Sequence, residues 1–222
     1  MAKKKNQETR TKLEEINDSL SGFEQKLEQH KNVIFWAVAA VLIIALLIWA
    51  YMQFVAKPNL EKANNELAKA DTELIMNQDS VAALKAYEKI AKNYSNDAAN
   101  VAKLKAATIL YAQGENKKAL AYLEDYSPKG KVVAPGSQSL LGDCYVNAKQ
   151  YDKAIAAYDN GIKLAEDNRT LVPMLMLKKA NVLHFQKKYN DELAIYKEVE
   201  TNYYGPGALD AKIEQAKALG AK

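Results

Sequence analysis

Two patterns of apolar residues divide this chain. From Asn32 to Ala56 the sequence "NVIFWAVAAVLIIALLIWAYMQFVA" runs for 25 residues without a charge. Coiled as a helix it would extend about 37 Å at 1.5 Å per residue, more than the hydrocarbon core of a bilayer requires. Pro58, with no N–H to give, would end or kink that helix. Beyond it the pattern changes. Apolar residues recur three and four positions apart among lysines and glutamates, the spacing of helices that bury one face. No run of alternating β-branched residues points to a sheet. The turn signals "NQDS", "NYSND", "AQGEN", "YSPKG", "VNAKQ", "AEDNRT", "KKYND" and "YYGPG" cut this region into about nine short helices.

The apolar run is too long for a cleavable signal peptide, whose apolar region spans about 7–15 residues. It is also apolar on every face, unlike the core helix of a soluble protein. Trp36 near one end, and Trp49 and Tyr51 near the other, stand where amphipathic rings settle at the two interfaces of a bilayer. The run therefore predicts a single uncleaved transmembrane helix over 32–56. Trp36, Trp49 and Tyr51 would be its membrane-interface anchors, and the lipid bilayer its surroundings. Residues 1–31 form a leader in which Leu13, Ile16, Leu20, Phe23 and Leu27 share one stripe of an amphipathic helix. Such a stripe would suit a homodimer through paired leader helices, or contact with the membrane or a partner. The leader holds seven Lys/Arg, including "KKK" at 3–5, which favours a cytosolic N-terminus. Within 15 residues of the run the count is two lysines before it and three after it, so the reversed orientation stays open.

Residues 57–222 repeat. The stretch "LLGDCYVNAKQYDKAIAAYDNGIKLAED" sets Leu141-Gly142 and Tyr145 on one predicted helix, then Ala154 and Tyr158 on the next. This resembles the tetratricopeptide repeat, in which small residues let two antiparallel helices approach and aromatics fill the space between successive pairs. Ala107, Leu110, Ala119 and Leu123 hold the same places one repeat earlier. Ala180, Leu183 and Tyr196 hold them one repeat later, where Glu192 replaces the small residue and predicts looser packing. Ala83 and Tyr87 belong to the earliest copy, whose first helix, about 60–76, lacks the small-residue signature of the repeat. Spacings of 36, 35 and 38 residues separate Ala83, Ala119, Ala154 and Glu192. The terminal "GALDAKIEQAKALGAK" reads as a helix closing the last apolar face. The expected fold is all-α: one N-terminal transmembrane helix, then a tetratricopeptide-repeat α-solenoid of about four helix pairs and a C-terminal capping helix.

Charge and composition narrow the function. The formal charge of +4 comes from 31 Lys+Arg against 27 Asp+Glu. Residues 58–222 hold 23 basic and 21 acidic groups, so no one-sided surface predicts a nucleic-acid partner. The lone Cys144 lies in an apolar helical stretch and reads as a buried thiol. With two histidines in the chain, a Cys/His metal site is not expected. The sequence holds no Gly-rich phosphate loop, no His-Glu-x-x-His, no Gly-x-Ser-x-Gly and no Cys-x-x-Cys. Neither enzyme activity nor a cofactor is expected. The polar "DNRT" reads as a loop with a helix cap at Thr170.

Solenoids bind other chains along the face lined by the first helix of each pair. By resemblance to other such repeats, that face should hold Leu104, Thr108 and Tyr111; Ser139, Asp143 and Val146; and Leu177, Asn181 and His184. Asp143 would oppose a carboxylate, and only Asn181 resembles the residues with which other repeats grip acidic C-termini. The expected ligand is therefore an extended or helical apolar segment. The alternative is that Leu104 and Leu177 belong to the core between repeats.

The whole plan is similar to the YfgM-like ancillary subunits of the Sec translocon. The resemblance rests on "FEQKLEQHKNVIFWAVAAVLIIALLIWAYMQF" and on "ALKAYEKIAKNYSNDAANVAKLKAATILYAQGENKKALAYLED". It implies a cytosolic leader (1–31), one anchor in the bacterial inner (cytoplasmic) membrane and a periplasmic repeat domain (57–222). It also implies a non-enzymatic role, with translocon membrane subunits, periplasmic chaperones and unfolded client chains as partners. A membrane-tethered scaffold for envelope assembly or cell division would use the same fold, as would a cytosol-facing docking receptor in the reversed orientation.

Overall fold

The computed structural model describes residues 30–33 and 35–221, so the leader stripe from Leu13 to Leu27 lies outside the described residues. Among the described residues every regular element is helical. The chain divides into two compact units that meet between Pro58 and Asn59.

The first unit contains α1 (30–51), followed by a π-helical turn, Met52–Ala56. Among the described residues the backbone is helical from His30 to Ile75, and by length and composition this helix could cross a membrane. Trp36, Trp49 and Tyr51 are all more than half exposed, as are the Val, Leu and Ile side chains between them. Water is a poor solvent for so large an uninterrupted apolar surface.

Pro58 does not end the helix, since α2 (Lys57–Ile75) contains it. In the preceding π turn the Lys57 N–H reaches back to the Met52 carbonyl. A proline ring normally crowds the carbonyl four residues earlier, and the wider turn makes room for it.

The second unit continues with α3 (Ser80–Asn93), α4 (Asp97–Ala112), α5 (Asn116–Glu124), α6 (Val133–Asn147) and α7 (Tyr151–Ala165). It closes with α8 (Leu171–Phe185), α9 (Tyr189–Val199), a second π turn (Glu200–Tyr204) and α10 (Asp210–Gly220). From α3 onward each helix packs on the next. Leu67 and Ala70 of α2 join Ala83, Tyr87 and Ile90 of α3 in one cluster. Four pairs result, α2–α3, α4–α5, α6–α7 and α8–α9. Ile213 and Ala216 of α10 join Tyr196 and Val199 of the last pair, as a capping helix should.

Short polar side chains start several helices. Asp79 Oδ1 accepts from the N–H groups of Val81 and Ala82 at 3.0 and 2.8 Å, and Asn96 Oδ1 accepts from that of Ala99 at 3.2 Å. Each satisfies donors that a helix start leaves without partners. At α8 the cap is not made by the Thr170 side chain. Asn168 Oδ1 instead accepts from the N–H groups of Thr170 and Leu171 at 3.0 and 2.9 Å.

Within the last three pairs the first helix stops in the same way. Gly114, Lys149 and Lys187 take left-handed φ values of 79°, 58° and 59°. The N–H of each bonds the carbonyl three residues back, and the next N–H bonds the one five back. In the first pair the left-handed residue is Gln78 and the turn is wider, because the Asp79 N–H reaches back six residues to Glu73. That one extra residue shifts the register of α2. Its small residue is present after all: Ala70, 1% exposed, holds the place that Gly142 holds in α6.

Two helices approach closely at Gly142. A Cβ built there would fall into the ring of Tyr158, which is itself buried. Gly142→Ala is therefore expected to destabilise the repeat domain by about 1–3 kcal/mol through overpacking. Gly136→Ala, with nothing within 4 Å of the new methyl, is the control and should not destabilise. Urea unfolding of the two variants measures the difference.

Cys144 is fully buried. Burial, with a smaller push from Asp143, holds its thiol up at about 11. Folded and unfolded thiols are both protonated below about pH 8, so the stability this burial contributes is intact there. It is lost as pH rises through about 11. In mildly alkaline buffer the folded protein should resist iodoacetamide, and alkylation should follow the urea unfolding curve. Rapid alkylation of the folded chain would contradict the burial.

Candidate functional site

The first helices of the last three pairs, α4, α6 and α8, contribute to a cleft of about 200 Å³. Four of the residues expected to line a binding face meet there: Tyr111, Asp143, Val146 and Asn181. Asn147, Tyr158, Lys178, Val182 and Phe185 complete the lining. Phe185, at the end of α8, is 63% exposed and stacks on Tyr151 with ring centroids 6.3 Å apart.

The other five expected residues do not line this cleft. Ser139 is 6% exposed and lies inside the fold, so it offers no surface to a ligand. Leu104 packs against Ala107, Leu110 and Cys144. Leu177 packs against the cluster of Met176, Ala180 and Tyr196. Both leucines are half-buried against these clusters. Thr108 is exposed and donates its hydroxyl to the Leu104 carbonyl at 2.8 Å. His184 turns toward α9, where Nδ1 lies 3.1 and 3.0 Å from the two carboxylate oxygens of Glu192.

Glu192 stands where the other pairs have alanine, and its side chain is buried rather than turned to solvent. It is 3% exposed. A carboxylate taken out of water must be paired, and His184 supplies the partner. Tyr196 faces it too: burial first, then the hydrogen bond to Glu192, pushes that phenol above the usual tyrosine range.

Asp143 is the centre of the cleft. Its Oδ1 accepts from the Tyr158 hydroxyl at 2.7 Å, and its Oδ2 accepts from Lys178 Nζ in an ion pair. Burial, reinforced by the bond to Asp143, raises the pKa of Tyr158, so the phenol stays a donor. Burial and then Asp143 also push up Tyr111.

Lys178 is the residue that sequence phase misses. Counting from the small residues Gly142 and Ala180, the partner in phase with Asp143 is Asn181, not Lys178. The carboxylate meets the side chain one helical turn earlier on α8. The first pair repeats the arrangement, with the Tyr87 hydroxyl 2.6 Å and Lys105 Nζ 3.1 Å from Asp71 Oδ1. In the second pair the corresponding places hold Leu123, Thr108 and Leu140, so that joint has no ion pair.

Chemically, the cleft offers amides, hydroxyls, a paired charge and an apolar ring, which suits recognition. Among the described residues, no group of three or more His, Cys, Asp or Glu side chains is placed to hold a metal ion.

The His184–Glu192 pair makes a prediction with two signs. His184→Ala leaves a buried carboxylate without its partner and should cost about 2–4 kcal/mol in urea unfolding. Glu192→Ala restores the small residue of the other pairs and should be neutral or stabilising. Adding His184→Ala to Glu192→Ala should then cost far less than His184→Ala alone.

No curated protein matches the chain. Among solved structures, the crystal structure of MamA protein is similar over 72% of this chain and 84% of its own, at 18% sequence identity and a TM-score of 0.58. At that identity the likeness concerns the fold. A tetratricopeptide repeat-like domain matches residues 61–184, more than half of the chain. The chain belongs to the tetratricopeptide repeat-like family.

Proposed function

We propose that this protein is a single-pass membrane protein whose repeat domain holds segments of other polypeptide chains beside the Sec translocon. One conjunction supports the reading. The chain that carries an uncovered apolar helix long enough to cross a bilayer also carries a repeat domain with a cleft lined by its first helices. Tetratricopeptide repeats generally mediate contacts between proteins.

In this reading α1 spans the inner membrane, with Trp36 at one interface and Trp49 and Tyr51 at the other. The N-terminus is cytosolic and the repeat domain periplasmic, following the lysine-rich leader. The resemblance to YfgM-like subunits adds the neighbour and the cargo: translocon membrane subunits beside the anchor, with periplasmic chaperones and emerging client chains at the repeats. No covalent step is involved. The protein acts by holding partners near one another, where tethering raises their effective concentration.

Two measurements test this. A photo-crosslinker placed at Trp36 or Trp49 should capture translocon subunits in native membranes, and consistent capture of unrelated membrane proteins instead would overturn the assignment. In the same membranes Asn59→Cys should react with an impermeant thiol reagent added from the periplasmic side, since buried Cys144 gives little background. Reaction only after the membrane is opened would reverse the orientation.

A further inference from the structure

We infer that Asp143 sets the ligand class of the cleft: by holding Lys178 it leaves no cation available there, so the cleft takes internal, uncharged stretches of polypeptide and rejects chain ends that carry a carboxylate. The inference rests on the polypeptide-holding role proposed above for this cleft.

Asp143 and Lys178 are the two charged residues in the lining, and they pair with each other. The cleft is therefore electrically balanced before any ligand enters. Both carboxylate oxygens of Asp143 are already engaged, one by Tyr158 and one by Lys178. A terminal carboxylate could reach Lys178 only by competing with Asp143. That would set two anions around one partly buried cation, where like charges repel strongly.

What remains open in the cleft suits the middle of a chain. The Asn181 amide is exposed and can donate to the carbonyl and accept from the N–H of one peptide unit. Val146 and the exposed ring of Phe185 provide apolar contact for a neighbouring side chain. The trio in the first pair, Tyr87, Asp71 and Lys105, resembles this one in its bonding. A joint between repeats could thus be the whole role of such a trio, and the test must separate that from selectivity.

Asp143→Asn separates them, because it keeps Oδ1 as the acceptor for Tyr158 while removing the charge that occupies Lys178. The probe is a fluorescein-labelled Ser-Leu-Val-Phe-Ser peptide made in two forms, C-terminal amide and C-terminal carboxylate. The full chain in nanodiscs is titrated by fluorescence anisotropy. The native protein should bind the amide about tenfold more tightly than the acid. Asp143→Asn should gain about tenfold for the acid, the scale of one charge-assisted hydrogen bond, and lose the gain when Lys178→Met is added. A purely structural role would lower the melting temperature and leave the acid-to-amide ratio unchanged, and an unchanged ratio overturns the inference. Equal binding of both forms by the native protein also overturns it while the polypeptide-holding role stands. If neither form binds native or variant protein, that role itself fails and the inference falls with it.

Discussion

How near two helices can come decides everything else in the repeat domain. At Gly142 the absence of a side chain lets the ring of Tyr158 lie against α6. Ala70, Ala107 and Ala180 hold the same place in the other pairs, and all three are buried. Only with the ring so placed does its hydroxyl reach Asp143, and Asp143 in turn reaches Lys178 on the first helix of the next pair. Packing inside a pair and linkage between pairs are thus consecutive steps of one contact path. On the second helix of the last pair Glu192 replaces the alanine of the other pairs, and His184 lies within hydrogen-bond distance of its carboxyl group.

The two units expose different kinds of surface. The repeat domain buries alanines and tyrosines against one another and leaves lysines and glutamates to water. The helix α1 buries nothing among the described residues and carries no charge from Asn32 to its end. The π turn of Met52–Ala56 lies where these two compositions meet, two residues before Pro58. A local widening there keeps the backbone helical where a regular turn would have been crowded.

Most of the fold could be read from residues, because its signals are local. Gly142, Ala154 and Tyr158 lie within a few turns of one another in sequence, and their spacing repeats. Ala70 escaped because a single extra residue in the turn before α3 displaced it by one position, and a pattern counted by spacing has no tolerance for that. The cleft was harder to read. Ser139, Leu104 and Leu177 lie at the margin between the open and the packed sides of their helices. Which side wins depends on how far neighbouring helices slide past each other. The same slide brings Lys178 rather than Asn181 to Asp143. Phase along the chain fixes direction around a helix axis, while stagger between helices is a tertiary quantity with no local signature. Likewise the destination of His184 depended on Glu192, a residue whose burial is a property of the folded pair.

The trio of tyrosine, aspartate and lysine occurs in the first and third pairs and is replaced by Leu123, Thr108 and Leu140 in the second. The backbone therefore has a period of two helices, but its chemistry has a period of four. Arrays of similar units are prone to dock out of step, since any unit can mimic its neighbour. Here an array slipped by one pair would set Asp71 against Leu140 and leave Lys178 facing Thr108. Slipping by one unit thus strands a partly buried charge against an apolar side chain. Alternating joints give this otherwise monotonous sequence a means of counting itself into register as it folds.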